Sequence, residues 1–140
     1  MPDAELKTAK LYTDGGSRSN PGHSAGAYVI CNLEDNVVEK SGFYLGQMTN
    51  NQAEYRALLK GLQRCRQLGI KNLSVFLDSE LVVKQLHRIY KIKHPDLKPL
   101  FTQVKQLEPA FEQISYLHVL RGLNAEADRE VNRILDARGH

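Results

Sequence analysis

Tryptophan is absent from this 140-residue chain, and cysteine and methionine occur only twice each. No apolar run approaches the roughly 18 residues needed to cross a bilayer, so no membrane-spanning segment is expected. The opening Met-Pro-Asp-Ala-Glu-Leu-Lys is polar and does not read as a signal peptide. The expected location is therefore the cytoplasm. Cys31 and Cys65 belong to no CxxC pair and neighbour no histidine. Both read as small core residues, and a reducing compartment argues against a disulfide between them. None of the five histidines has zinc-ligand spacing such as HExxH.

What the chain does contain is ordinary for a globular protein: 41% apolar and 25% charged residues, in a length that suits one domain over 1–140. Hairpin-spaced strands are predicted over 8–14, 24–32 and 37–45, with Asp35-Asn36 as a turn, giving an antiparallel meander. Tyr55, Leu58, Leu62, Cys65 and Leu68 recur at helical spacing, so 51–68 is a helix capped by Asn50 or Asn51 and stopped at Gly69. A strand over 72–78 follows, then a helix from Ser79 to Arg88 and a helical stretch of about 96–112 whose ends Pro99 and Pro109 blur. A strand at 114–119 and a helix at 124–137 close the order βββαβααβα. This pattern alone supports an α/β fold with a meander.

Four acids occupy element ends, where α/β sheets build their sites. Asp14 follows Leu11-Tyr12-Thr13 and opens Gly15-Gly16-Ser17-Arg18-Ser19-Asn20-Pro21-Gly22. Glu54 opens a helix in Asn50-Asn51-Gln52-Ala53-Glu54. Asp78 closes an apolar strand and precedes Ser79. Asp128 ends Asn124-Ala125-Glu126-Ala127-Asp128. Parallel strands one and four would end Asp14 and Asp78 side by side. Four carboxylates packed together repel unless cations sit among them, and all-oxygen ligands favour hard ions, Mg²⁺ or Mn²⁺. Two such ions a few ångströms apart can activate water and stabilise a leaving oxygen of a phosphodiester. Asp14 would bridge the two, with Glu54 and Asp78 completing one shell and Asp128 the other.

The charge distribution points the same way. Residues 56–105 hold eleven basic and three acidic side chains, a local +8, against eight and thirteen elsewhere. Beside a carboxylate site, such a block suits a phosphate backbone. Lys84, Arg88 and Lys91 fall at spacings of four and three, and would share a helix face if the helix ran that far.

Taken together, Thr-Asp-Gly-Gly-Ser with Asn-Pro-Gly, Asn-Asn-x-Ala-Glu, a strand ending in Asp-Ser, and Asn-x-x-Ala-Asp resemble type 1 ribonuclease H, over about residues 8–138. The resemblance implies a five-stranded mixed sheet with helices on both faces. It also implies two-metal cleavage of RNA in an RNA–DNA hybrid to 3′-hydroxyl and 5′-phosphate ends, with the four acids in the roles above. No small-molecule cofactor and a monomeric state are expected. Substrate choice must read the 2′-hydroxyl. Gly15, Gly16, Ser17, Asn20, Asn50, Asn51, Ser79, Arg121 and Asn124 are the candidate substrate-binding residues, although Asn and Ser are also ordinary cap and turn residues.

Two departures from the family's pattern stand out. Where many members carry a mobile histidine, this loop reads Arg121-Gly122-Leu123, so Arg121 is the candidate to take over part of that role; His118 lies in a predicted strand. The aromatic-rich basic protrusion that some members use to grip DNA is missing, leaving Lys84, Arg88, Lys91, Lys93 and Tyr90. A weakly active nucleic-acid-binding module and a DNA nuclease of the same fold are the competing readings.

Overall fold

In the computed structural model, which describes residues 6–139, Ala9, Leu11 and Thr13 point to one face of a strand, β1 (Thr8–Ser17). Residues 1–5 and 140 of the expected 1–140 domain lie outside the described residues. β1 pairs antiparallel with β2 (Gly22–Cys31), which pairs antiparallel with β3 (Val37–Met48). On its other side β1 pairs parallel with β4 (Asn72–Leu77), and β4 with β5 (Gln113–His118). The spatial order is β3-β2-β1-β4-β5, a mixed sheet.

Two apolar cores sandwich this sheet. On one face lie α1 (Asn50–Gln67), α2 (Glu80–Leu86) and α3 (Lys98–Leu107). Tyr55, Leu58 and Leu62 of α1, Val82 and Leu86 of α2 and Leu100 of α3 pack there with Leu11, Ile30, Val75 and Leu77. On the other face α4 (Ala125–Ala137) sets Ala127, Val131 and Leu135 on Ala25, Ala27, Val29 and Cys31. Each fully buried Leu or Val contributes about 1.5–3 kcal/mol relative to exposure. Cys31 belongs to the α4 core and Cys65 to the α1 core, so the two thiols sit on opposite sides of the sheet, both free. Among the described residues no helix is long and apolar enough to cross a membrane.

The expected element order holds, and the differences lie at element ends. β1 runs to Ser17, past Asp14, because antiparallel pairing with β2 continues to Ser17–Ser24 after pairing with β4 stops at Thr13–Leu77. Thr49, not Asn50 or Asn51, caps α1. Its Oγ1 accepts from the Gln52 N–H at 3.2 Å while Gln52 Oε1 accepts from the Thr49 N–H at 2.9 Å, a reciprocal capping box. α3 is shorter than 96–112: it starts beside Pro99 and tightens into a 3₁₀ turn at Glu108–Ala110, where Pro109 lacks the N–H an α-helix needs. A second 3₁₀ turn, Arg121–Asn124, precedes α4.

The proposed cationic helix face does not form. α2 ends at Leu86, and Arg88 takes φ 62°, the left-handed cap conformation usually filled by glycine. Lys91 follows in irregular chain. Lys84 is already paired with Glu80 at 2.9 Å.

Gly15 is the tightest joint in the fold. A Cβ there would collide with the Ala53 carbonyl group and come within 2.6 Å of the Glu54 backbone nitrogen, neither of which can swing aside. At Gly16 the same addition would meet only Val131 Cγ1, at 3.7 Å. In urea denaturation, Gly15→Ala is therefore expected to lose about 2 kcal/mol or more through overpacking, while Gly16→Ala stays within about 0.5 kcal/mol of the parent. Equal midpoints for the two variants would remove this contact from the account.

Candidate active site

The parallel ladder between β1 and β4 brings two acids together by register alone. Its last pair is Thr13–Leu77, so Asp14 and Asp78 are the next residue on each chain. Past that point β1 continues against β2 only, and its opposite side opens into a cleft of about 470 Å³. The first turns of α1 bring Glu54 against the same strand, an approach that the missing Cβ of Gly15 permits. Glu54 Oε1 accepts from the Gly15 N–H at 2.5 Å. One carboxylate oxygen from each of Asp14, Glu54 and Asp78 lies within 4.8 Å of the others. Asp128, in the first turn of α4, stands beside Asp14 in the same cleft, outside that tighter group of three; its Oδ2 accepts from Asn132 Nδ2 at 3.5 Å.

Burial makes this cluster electrostatically expensive. Asp14 and Glu54 are each only 6% exposed. Loss of solvation, and then the neighbouring Asp78 charge, push the Asp14 carboxyl up to about 7. Glu54 is pushed well above the usual carboxylate range by burial, then by Asp14 and Asp78, with the Gly15 N–H opposing. Its other oxygen, Oε2, is buried and has no hydrogen-bond partner in the protein. A partnerless buried carboxylate oxygen among other carboxylates fits a hard divalent cation, which would neutralise the repulsion and take the orphaned lone pairs. Asp14, Glu54, Asp78 and Asp128 are the residues that could hold it.

Of the expected substrate-binding residues, Gly15, Gly16, Ser17, Asn50, Asn51, Ser79 and Arg121 line the same cleft as the acids. Several are also tied internally. Asn50 Oδ1 accepts from the Ser17 N–H at 2.8 Å, the Ser17 hydroxyl donates to Met48 O at 3.0 Å, and Ser79 caps α2 through Val82 N–H at 3.3 Å. Asn20 acts one step back, its Oδ1 accepting from the Asn50 N–H at 3.0 Å. Asn124, expected at the substrate surface, is 1% exposed and is not part of the cleft lining. Its Nδ2 donates to Thr13 O at 2.8 Å and to Asp78 Oδ2 at 3.4 Å. His118 is exposed at the end of β5.

Arg18 and Asn132 belong to the cleft wall and were missed. The Arg18 guanidinium donates to Asn132 Oδ1 at 3.2 Å and to Asp136 Oδ1 at 2.8 Å, tying the β1–β2 loop to α4. The available signal was the i, i+4, i+8 run Asp128, Asn132, Asp136, which sets three polar side chains on one helix face.

Residues 12–134 match the family model described as Reverse transcriptase-like. The bifunctional protein Rv2228c of Mycobacterium tuberculosis is 43% identical over 128 residues, covering 91% of this chain and 35% of that protein. The chain thus spans about a third of the length of the first curated relatives it matches. Among solved structures, RNase H1 from Halobacterium salinarum superposes with a TM-score of 0.90 at 35% identity, covering 93% of this chain and 98% of that one. LC11-RNase H1 in complex with RNA/DNA hybrid gives 0.89 at 34% identity, covering 94% and 99%.

The raised carboxyls make the stability of the metal-free protein depend on pH. Between the ordinary carboxylate value near 4 and about 7, the folded Asp14 holds a proton that the unfolded chain has released. Stability from this group is therefore full at the acid end of that window and is lost as pH rises through it. Thermal melts in chelator are expected to fall from pH 5 to 8. Asp14→Asn should flatten that fall and raise metal-free stability at pH 8 by on the order of 2 kcal/mol. Millimolar Mg²⁺ should restore the parent at pH 8 but not the variant. A parent melt that rises over this window would contradict the assignment.

Proposed function

Because this chain belongs to the Reverse transcriptase-like family, among the compact type 1 ribonucleases H, we propose that it hydrolyses the RNA strand of RNA–DNA hybrids with divalent metal. The observation that carries the reading is the open cleft holding three crowded carboxylates, one with a buried partnerless oxygen, beside half-buried Gly-Gly-Ser backbone. A relative of the same fold is known in complex with an RNA/DNA hybrid.

Asp14, Glu54 and Asp78 would hold one Mg²⁺ or Mn²⁺, and Asp14 with Asp128 a second. When bound, such ions polarise a phosphodiester and neutralise the charge that develops on it. The chain's own residues do the rest. At Gly16 the cleft wall lacks a side chain, so a sugar–phosphate backbone can approach closely there, whereas the room beside Gly15 is taken by the Ala53–Glu54 backbone. Asn51 and the backbone nearby supply donors and acceptors suited to a 2′-hydroxyl, the group that separates RNA from DNA. Arg121 lines the cleft, where its guanidinium would attract phosphate. The expected products carry 3′-hydroxyl and 5′-phosphate ends.

The grip on the rest of the hybrid is assigned to a groove in which Lys98 takes the place of Lys84 beside Arg88 and Lys91. Arg88, Lys91 and Lys98 line one groove with Tyr90 and Phe101, and pair with no acid among the described residues. Tyr90 and Lys91 also line a second groove with Lys93, which reaches Asn51 at the acid cleft. The two grooves share Gln85, Tyr90 and Lys91, and we read them together as the path of the hybrid away from the carboxylates.

Labelled RNA–DNA hybrid should be cut in its RNA strand with Mg²⁺ or Mn²⁺, and not in EDTA. Duplex DNA should resist, which sets this reading apart from a DNA nuclease. Asp14→Asn, Glu54→Gln and Asp78→Asn should each lower kcat by about a hundredfold or more while hybrid binding persists; Asp128→Asn should be milder. Cleavage in EDTA by protein free of contaminating nuclease would falsify the metal mechanism.

Replacing Arg88, Lys91 and Lys98 together by Ala should raise KM more than it lowers kcat, since such contacts hold ground and transition states alike. It should also flatten the slope of log affinity against log salt by about two to three units. An unchanged slope would move the hybrid path to Arg56 and Lys60, since Arg64 is held by Glu39.

A further inference from the structure

Asn124 is a buried amide in the one place where the ladder between β1 and β4 runs out. The last paired residues are Thr13 and Leu77, so the Thr13 carbonyl and the Asp78 carboxylate both sit at that end. Asn124 Nδ2 donates to both, at 2.8 Å and 3.4 Å. Its Oδ1 is buried and has no partner. Among the described residues only one other buried side-chain polar atom is in that state, Glu54 Oε2, and it too belongs to the acid cluster. A buried acceptor without a partner is costly, and an apolar residue would avoid the cost. Asn124 also stands one helical turn before Asp128, at the entry to α4. One side chain therefore touches the residue before Asp14, touches Asp78, and begins the helix that carries Asp128.

We propose that Asn124 is a positioning residue, whose amide bridges the Thr13 carbonyl and the Asp78 carboxylate and so fixes Asp78 against Asp14 in the arrangement that binds divalent metal. It does so without adding charge to a cluster already short of solvation. Asp78 lies one residue past the end of the ladder, where strand pairing with β1 no longer holds its backbone, so its carboxylate depends on a side-chain donor for its orientation. The Asn124 amide hydrogen takes that part: it engages one Asp78 oxygen and leaves the other for the cation. Partners that orient a metal-binding carboxylate without touching the metal typically matter about 10–100-fold to affinity or activity. The role rests on the proposed metal-dependent activity, and it is separable from it.

The test measures Mn²⁺ binding by isothermal titration calorimetry on folded protein, alongside steady-state cleavage of a hybrid. Asn124→Ala is the main variant. Asn124→Ser, whose hydroxyl can serve only one of the two acceptors at a time, stands in if the alanine variant does not fold. The expected result is Mn²⁺ affinity weakened about tenfold or more, kcat reduced by at least as much, and hybrid KM unchanged. In an Asp78→Asn background, which lacks the carboxylate to be oriented, the Asn124 substitution should weaken residual Mn²⁺ binding no further. A loss of equal size in both backgrounds, or a folded Asn124 variant with parental Mn²⁺ affinity, would overturn the role. Asp78→Asn alone separates the two levels: if it cleaves hybrid at the parental rate, the active-site reading fails; if it is inactive while Asn124→Ala is not, only the positioning role does.

Discussion

Mutual repulsion among three carboxylates governs this molecule. Oxygens of Asp14, Glu54 and Asp78 are held within 4.8 Å of one another, and Asp14 and Glu54 are almost cut off from water. Left metal-free, the cluster holds protons, with Asp14 pushed up to about 7 by burial first and then by the Asp78 charge. A divalent cation removes the same strain without protons. The fold has to be stable enough elsewhere to hold the cluster together in the meantime, a tension common at functional sites.

The scaffold supplies that stability through two separate cores. α1, α2 and α3 pack on one face of the sheet and α4 on the other. The cleft opens where the layers stop matching: β1 outruns β4 but stays paired with β2. Each acid arrives on a different element, so its position is set by packing far from the cleft. Two of these acids are held by neutral donors, and the strand end beside them by a neutral acceptor. Gly15 N–H holds Glu54, the Asn124 amide holds Asp78, and Asn50 holds the Ser17 N–H. Neutral donors orient carboxylates without adding a fixed charge that would compete with a cation for them.

Much of this was legible in the sequence because strong local signals agreed. Apolar periodicity marked α1, turn residues bounded the meander, and four acids at element ends pointed to one edge of the sheet. What could not be read were features set by register and close approach. The capping box of Thr49 and Gln52 was written in the sequence, but two adjacent asparagines competed for the same role. The burial of Asn124 depends on how the 3₁₀ turn Arg121–Asn124 feeds α4, which no local pattern states. The cationic helix face failed because Arg88 adopts a left-handed cap, a conformation that favours glycine or asparagine on sequence grounds. Spacing alone therefore grouped Lys84 with Arg88 and Lys91, where the folded chain groups Lys98 with them instead.

The most direct test of the carboxylate cluster as a metal centre is anomalous scattering from crystals equilibrated with Mn²⁺. The predicted map has a strong peak among Asp14, Glu54 and Asp78, lost in crystals of Asp14→Asn. At saturating Mn²⁺, no peak at that position, or the dominant peak elsewhere on the protein, would contradict it.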